Sequence, residues 1–200
     1  MNILTDALPT SLLIGDTEYQ IDSDFRTCLR IILAFEDNEL TNQEKQIILL
    51  SSLFVTVPHD TKEAIKQAII FLDGGKSPEE DTNHVRVYSF EKDSSFIFAA
   101  FRQTHGINLQ EINLHWWVFL ALFMDLGSET TFSQLVSLRK RLKTGKATKE
   151  ERQTANEIKD LLELPEIDNR DLEQKEAARA FDEALRRAQE KRNNGRINND

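Results

Sequence analysis

Few side chains in this 200-residue chain are equipped for chemistry, and their spacing limits what they can do. Cys28 is the one cysteine, so no intrachain disulfide can form, and a reducing compartment fits that usage. His59, His84, His105 and His115 stand far from Cys28, and no two of them lie at helical metal-ligand spacing. Neither structural zinc nor another cofactor is therefore expected. Cys28 falls on an apolar helical face, which suits a small buried hydrophobe better than a nucleophile. Gly74-Gly75-Lys76-Ser77 resembles a phosphate-binding turn in composition only. It lacks the first glycine of that motif and follows a helix instead of a strand, so a helix C-cap and loop is expected. No phosphate loop, paired-glycine fingerprint, nucleophile elbow or metalloprotease helix occurs. The expectation is a protein that is not an enzyme.

Two further clusters carry interaction chemistry. In His115-Trp116-Trp117, neighbouring helical residues point about 100° apart, so both indoles cannot share one narrow core face. One tryptophan is expected to be buried and the other to serve as an interface anchor, a role for which tryptophan is favoured. His115 is expected to hydrogen-bond a backbone or carboxylate partner. Arg139, Lys140, Arg141 and Lys143 gather at a helix C-terminus, where cations meet the helix dipole favourably. A solvated helix end is the expectation there.

The elements that would position these residues are mostly helical. Leu12-Leu13-Ile14 and Thr17 to Ile21 flank Gly15-Asp16, which predicts a β-hairpin over about 11–21. A first helix carries Phe25, Cys28, Leu29, Ile32 and Phe35 on one face, with Asp22 or Ser23 as its cap. Thr41-Asn42-Gln43-Glu44 is a capping-box pattern before Ile47, Leu50, Leu53 and Phe54, and Pro58 stops that helix. Asp60 opens a third helix through Ile65, Ala68, Ile69 and Leu72 to the Gly74-Gly75 cap. Residues 76–84 read as a polar loop, and alternation in 85–90 predicts a short strand. Asp93 caps a helix with Phe96, Ile97, Ala100 and Phe101. Asn108-Leu109-Gln110-Glu111 is a second box, opening the most apolar helix, through Trp116, Phe119 and Phe123 to Gly127. Helices over 131–142 and from Thr148 to before Pro165 follow. The fold class is thus mainly α: a compact helical domain over 1–165 with a short N-terminal β-hairpin.

Residues 166–192 differ in kind. They are rich in Ala, Glu, Arg and Gln, and Ala177, Phe181, Ala184 and Ala188, with Leu185 beside them, form a narrow apolar seam at helical spacing. A C-terminal amphipathic helix is expected, docking either on its own domain or on another chain, with a frayed polar tail over 193–200.

Composition bounds the partners. Acids number 34 against 25 Lys and Arg, giving a net charge of −9. Such a chain has no overall field that would draw nucleic acid or anionic lipid to it. The start, Met-Asn-Ile-Leu-Thr-Asp, has no positive region or long apolar run of a signal peptide. The longest apolar stretch, 116–124, is about half of the ~20 residues a membrane helix needs. A soluble cytoplasmic protein is expected.

Several blocks then resemble one family. They are the opening Met-Asn-Ile-Leu-Thr-Asp, Asp24-Phe25-Arg26, Tyr88-Ser89-Phe90-Glu91, Ala99-Ala100-Phe101, and Leu114-His115-Trp116-Trp117 with Phe119, Ala121 and Leu122. Over roughly residues 1–165 they resemble the bacteriophage gene-product-fifteen family of phages and prophages of Gram-positive bacteria with long non-contractile tails. The His-Trp-Trp block is the most specific part. The resemblance brings no catalytic motif. It implies a gene position similar to that of tail assembly chaperones, which coat the tape-measure protein while the tail tube polymerises. The leading expectation is such a chaperone in the host cell cytoplasm, binding the tape-measure protein or another tail protein and able to self-associate. The alternatives are a structural virion component, such as a tail-completion or connector subunit, and a small enzyme whose site is assembled from distant residues.

Overall fold

The computed structural model describes residues 2–76 and 85–167, and the seam residues Ala177, Phe181, Ala184, Leu185 and Ala188 lie outside these. A two-stranded antiparallel hairpin comes first, β1 (Ser11–Ile14) and β2 (Thr17–Gln20), followed by α1 (Phe25–Glu36), α2 (Asn42–Leu53) and α3 (Thr61–Leu72). Then come α4 (Ser94–His105), α5 (Trp116–Met124), α6 (Thr131–Lys143), α7 (Lys149–Glu157) and the single turn α8 (Lys159–Leu162). The mainly α class and the N-terminal hairpin are therefore as expected.

Ile14 pairs with Thr17 across Gly15, whose φ of +60° a side-chain-bearing residue rarely adopts. Ile21 bridges Phe54 antiparallel, so the segment leaving α2 lies along β2. Three helix starts carry the cap residues their patterns predict. Thr41 and Thr148 each form a full capping box, with Glu44 and Glu151, and Asp60 accepts from the Glu63 amide. Around the core, α5 lies against α1 and α4, α6 against α4, and α2 against both α1 and α3. Phe119 of α5 is its hub. Its ring stacks on Phe25 and Phe101 at 5.0 Å each and on Trp116 at 5.5 Å.

Four local expectations are corrected. The cap of α1 is Asp24, whose carboxylate accepts from the Arg26 amide, while Asp22 accepts from the Asp24 amide and the Thr27 hydroxyl. Residues 85–89 form no strand. Their carbonyls are claimed by cations instead, Arg86 O by Lys143 Nζ and Val87 O by Arg139. Asn108 closes a turn and not a helix, since its carboxamide and carbonyl accept from Gln110 and Glu111 and the helix waits until Trp116. The stretch before Pro165 is two helices, broken at Ile158.

Candidate functional site: the His115-Trp116-Trp117 junction

The most specific sequence block sits where three elements meet. His115 caps α5: its Nδ1 accepts from the Trp117 amide at 3.0 Å. An accepting Nδ1 leaves the ring proton on Nε2, which faces the Pro9 carbonyl at 2.9 Å. The imidazole thus ties the segment before β1 to the start of α5. Backbone pairing adds to this tie. Asp24 and His115 form an antiparallel bridge, with Phe25 N donating to Leu114 O and Trp116 N to Ser23 O. The N-termini of α1 and α5 are thereby locked to each other.

Arg26 secures the loop that delivers His115. One guanidinium nitrogen donates to the carbonyls of Leu109 and Ile112, at 2.7 and 2.8 Å. The other reaches Asp24 and Asn113. These bonds occupy the carbonyls that a helix starting at Asn108 would need.

The two indoles diverge as expected, yet both serve the same end of α3. Trp116 is buried and donates from Nε1 to Leu72 O at 2.8 Å. Trp117 is half-buried and donates to Phe71 O, also at 2.8 Å. Leu72 O thereby gains a donor at the helix C-terminus, and Phe71 O, which also accepts from the Gly74 amide, gains a second one. The Trp117 ring lies over Phe71 and presses on Gly75, where a Cβ would stand 3.0 Å from the ring. Trp117, half-buried, is thus also engaged with its own chain. Gly74 and Gly75, at φ of +71° and +84°, form the expected left-handed C-cap.

A second centre lies at the start of α4. Arg139, expected at a solvated helix end, is 2% exposed. It grips Asp93 in a bidentate pair at 2.6 and 2.9 Å and donates to the carbonyls of Leu161, Leu162 and Val87. Asp93 also accepts from the Ser89 amide, so it orders the loop before α4 instead of capping that helix with its side chain. Lys92 donates to the carbonyls of Asp160 and Glu163. Lys45, buried on α2, reaches Phe35 O at the end of α1. Each of these cations satisfies carbonyls that end a helical segment.

None of these arrangements presents a nucleophile. Cys28 is buried, and burial, followed by the charges of Asp22 and Asp24, pushes its thiol well above the ordinary value. Among the described residues no group of three His, Cys, Asp or Glu stands together to hold a metal, and no helix is long and apolar enough to cross a membrane. Exposed apolar side chains do occur: Leu13 on β1, Ile47 on α2, Val55 and Val57 after it, and Met124 at the end of α5.

No curated protein and no solved structure matches the chain. A family model does, over residues 4–164, spanning the hairpin, the His-Trp-Trp junction and the Arg139–Asp93 pair. The chain belongs to the family described as Bacteriophage Gp15 protein.

Proposed function

We propose that this protein is a tail assembly chaperone that binds the tape-measure protein in the host cytoplasm while the tail tube forms, acting without catalysis or a cofactor. The family match over 4–164 carries the reading. It supports a phage structural or assembly protein that interacts with other phage proteins. The surface supports the finer step. Leu13, Ile47, Val55 and Met124 offer separate apolar footholds on a chain of net charge −9. That combination suits covering a long apolar helical client while the complex stays dissolved. The raised, buried Cys28 thiol supports a non-catalytic role, because a nucleophilic cysteine needs an accessible thiolate.

The alternative, a structural virion component, predicts a different fate for the chain. Mass spectrometry of lysate and of purified virions separates the two. A chaperone is present in the lysate and missing from virions. A fixed number of copies in each virion would replace the chaperone reading with the structural one.

A further inference from the structure

Charge in this chain is sorted between the two ends of α1. At the start of α1, residues 2–25 hold five acids and no Lys or Arg. Asp24 faces Arg26, while Asp6, Asp16, Glu18 and Asp22 are exposed. Burial raises the Cys28 thiol first, and the charges of Asp22 and Asp24 add to it, a mark of the negative field at this end. At the other end Glu36 pairs with Arg86, whose carbonyl accepts from Lys143 at the end of α6. The twelve residues of α1 separate the two ends by about 18 Å. Cations gather at that second end. The Lys146 amide donates to Arg141 O, folding the turn after α6 back onto that helix, and Arg152 of α7 donates to the Gly145 and Ala147 carbonyls of the same turn. Within 136–152, Arg139 is spent on Asp93 and Arg141 on Glu151. Exposed Lys140, Lys143, Lys146, Lys149 and Arg152 remain beside Glu150, and among the described residues none of the five forms an ion pair, with Asp37 and Glu39 on the turn after α1 or with any other acid.

We propose that this basic turn docks on the acidic hairpin end of a second copy, so that copies associate head to tail. Charge complementarity carries the argument. One end shows four exposed acids without a cation, the other five exposed cations beside one acid, and a second copy supplies whichever sign the first one lacks. The patches sit at opposite ends of α1, so one chain cannot close its own pair. Because the two patches differ, the contact is heterologous: a dimer keeps one free patch of each sign and can add a third copy. A nucleic acid is the less favoured occupant, since a chain of net charge −9 repels phosphate as a whole. At physiological salt charges act over only ~8 Å, so the patches attract near contact and the association is weak and reversible. This inference does not depend on the partner proposed above.

Sedimentation velocity of the full-length protein tests this. At about 0.1 M salt charges act over ~10 Å, enough for facing patches and too short for two acidic chains to repel as wholes. There the sedimentation coefficient should rise with protein concentration past that of a dimer. At about 1 M salt, where charges act over ~3 Å, the protein should be a monomer. Lys140→Glu plus Lys146→Glu should abolish the association, and so should Asp16→Lys plus Glu18→Lys. Mixing these two double variants should restore it, because one is then acidic at both ends and the other basic at both. Lys62→Glu plus Lys66→Glu on α3 has the same net charge as the first variant and should associate as the parent does. All six residues are exposed, and circular dichroism confirms that each variant is folded. A parent that stays monomeric at the lower salt overturns the proposal, as does association that survives either reversal or fails to return on mixing. Nucleic acid that copurifies with the parent and is lost from Lys140→Glu plus Lys146→Glu would assign the turn to a polyanion and overturn it too.

Discussion

Arg139 and Asp93 are 46 residues apart in sequence and form the fold's buried bidentate ion pair, Nη1 to Oδ2 at 2.6 Å and Nη2 to Oδ1 at 2.9 Å. The pair joins α6 to the start of α4, and the remaining guanidinium protons hold the Leu161 and Leu162 carbonyls that end α8 and the Val87 carbonyl of the loop before α4. Truncating one partner strands the other charge in the interior, which costs about 3–5 kcal/mol. Arg139→Met and Asp93→Leu should each lose stability on that scale in urea denaturation. The double variant should recover part of the loss. Single variants within ~0.5 kcal/mol of the parent would show that the pair does not hold these helices together.

The adjacent indoles should differ in cost. Trp116→Ala removes a fully buried ring from the Phe119 stack and should destabilise by about 3–5 kcal/mol. Trp117→Phe keeps a ring against Phe71 and removes the bond to Phe71 O, worth about 1 kcal/mol. Two equal denaturation curves would contradict the placement of these side chains.

Gly75 combines a φ of +84° with the Trp117 ring at 3.0 Å from a Cβ position. Gly145→Ala, at φ +72° in open space, carries the backbone strain alone and should cost about 1 kcal/mol. Gly75→Ala should cost more, since the indole must also shift. The comparison of the two melting midpoints checks it, and a smaller loss at Gly75 would count against the packed Trp117.

Much of this architecture is legible in the sequence, and the misses have two causes. Capping boxes at Thr41 and Thr148, the Gly15 turn and the Gly74-Gly75 cap are local, so local patterns reveal them. The burial of Arg139, Asp93 and Lys45 goes against charge, which suggests solvent for Arg139 and a cap for Asp93. Yet Arg139 follows Phe132 and Leu135 at helical spacing, Lys45 precedes Leu49 and Leu53, and Asp93 precedes Ile97 and Ala100. A charge in phase with an apolar stripe was the available signal. The start of α5 was misplaced for a different reason. Arg26, more than 80 residues away in sequence, takes the Leu109 and Ile112 carbonyls, and no local pattern contains it. The irregular stretch 85–89 likewise depends on Lys143 and Arg139.

The capping boxes impose a pH dependence. The carboxyl of Glu44 is held below the ordinary value by the Thr41 backbone amide and then its hydroxyl, and that of Glu151 by the Thr148 amide and then Arg141. A depressed carboxyl contributes stability that is complete above its unfolded value, about 4.3, and is lost as pH falls through the lower folded value. Carbon-detected NMR titration should place both carboxyls below an ordinary glutamate, with amide protection at the starts of α2 and α7 fading at the same low pH. Midpoints at or above 4.3 would contradict the boxes.

Cys28 should resist thiol reagents in the native protein and react at the rate of global unfolding, since burial both shields the sulfur and disfavours its thiolate. A rapid native-state reaction with Ellman's reagent at neutral pH would refute the buried placement.

Binding to the tape-measure protein is measured by co-expressing this chain with the tape-measure protein of the same phage genome and purifying through a tag on one of them. A chaperone leaves the tape-measure protein soluble in a complex with this chain and insoluble when expressed alone. A tape-measure protein equally soluble without this chain, and never retained by it, would contradict the chaperone role.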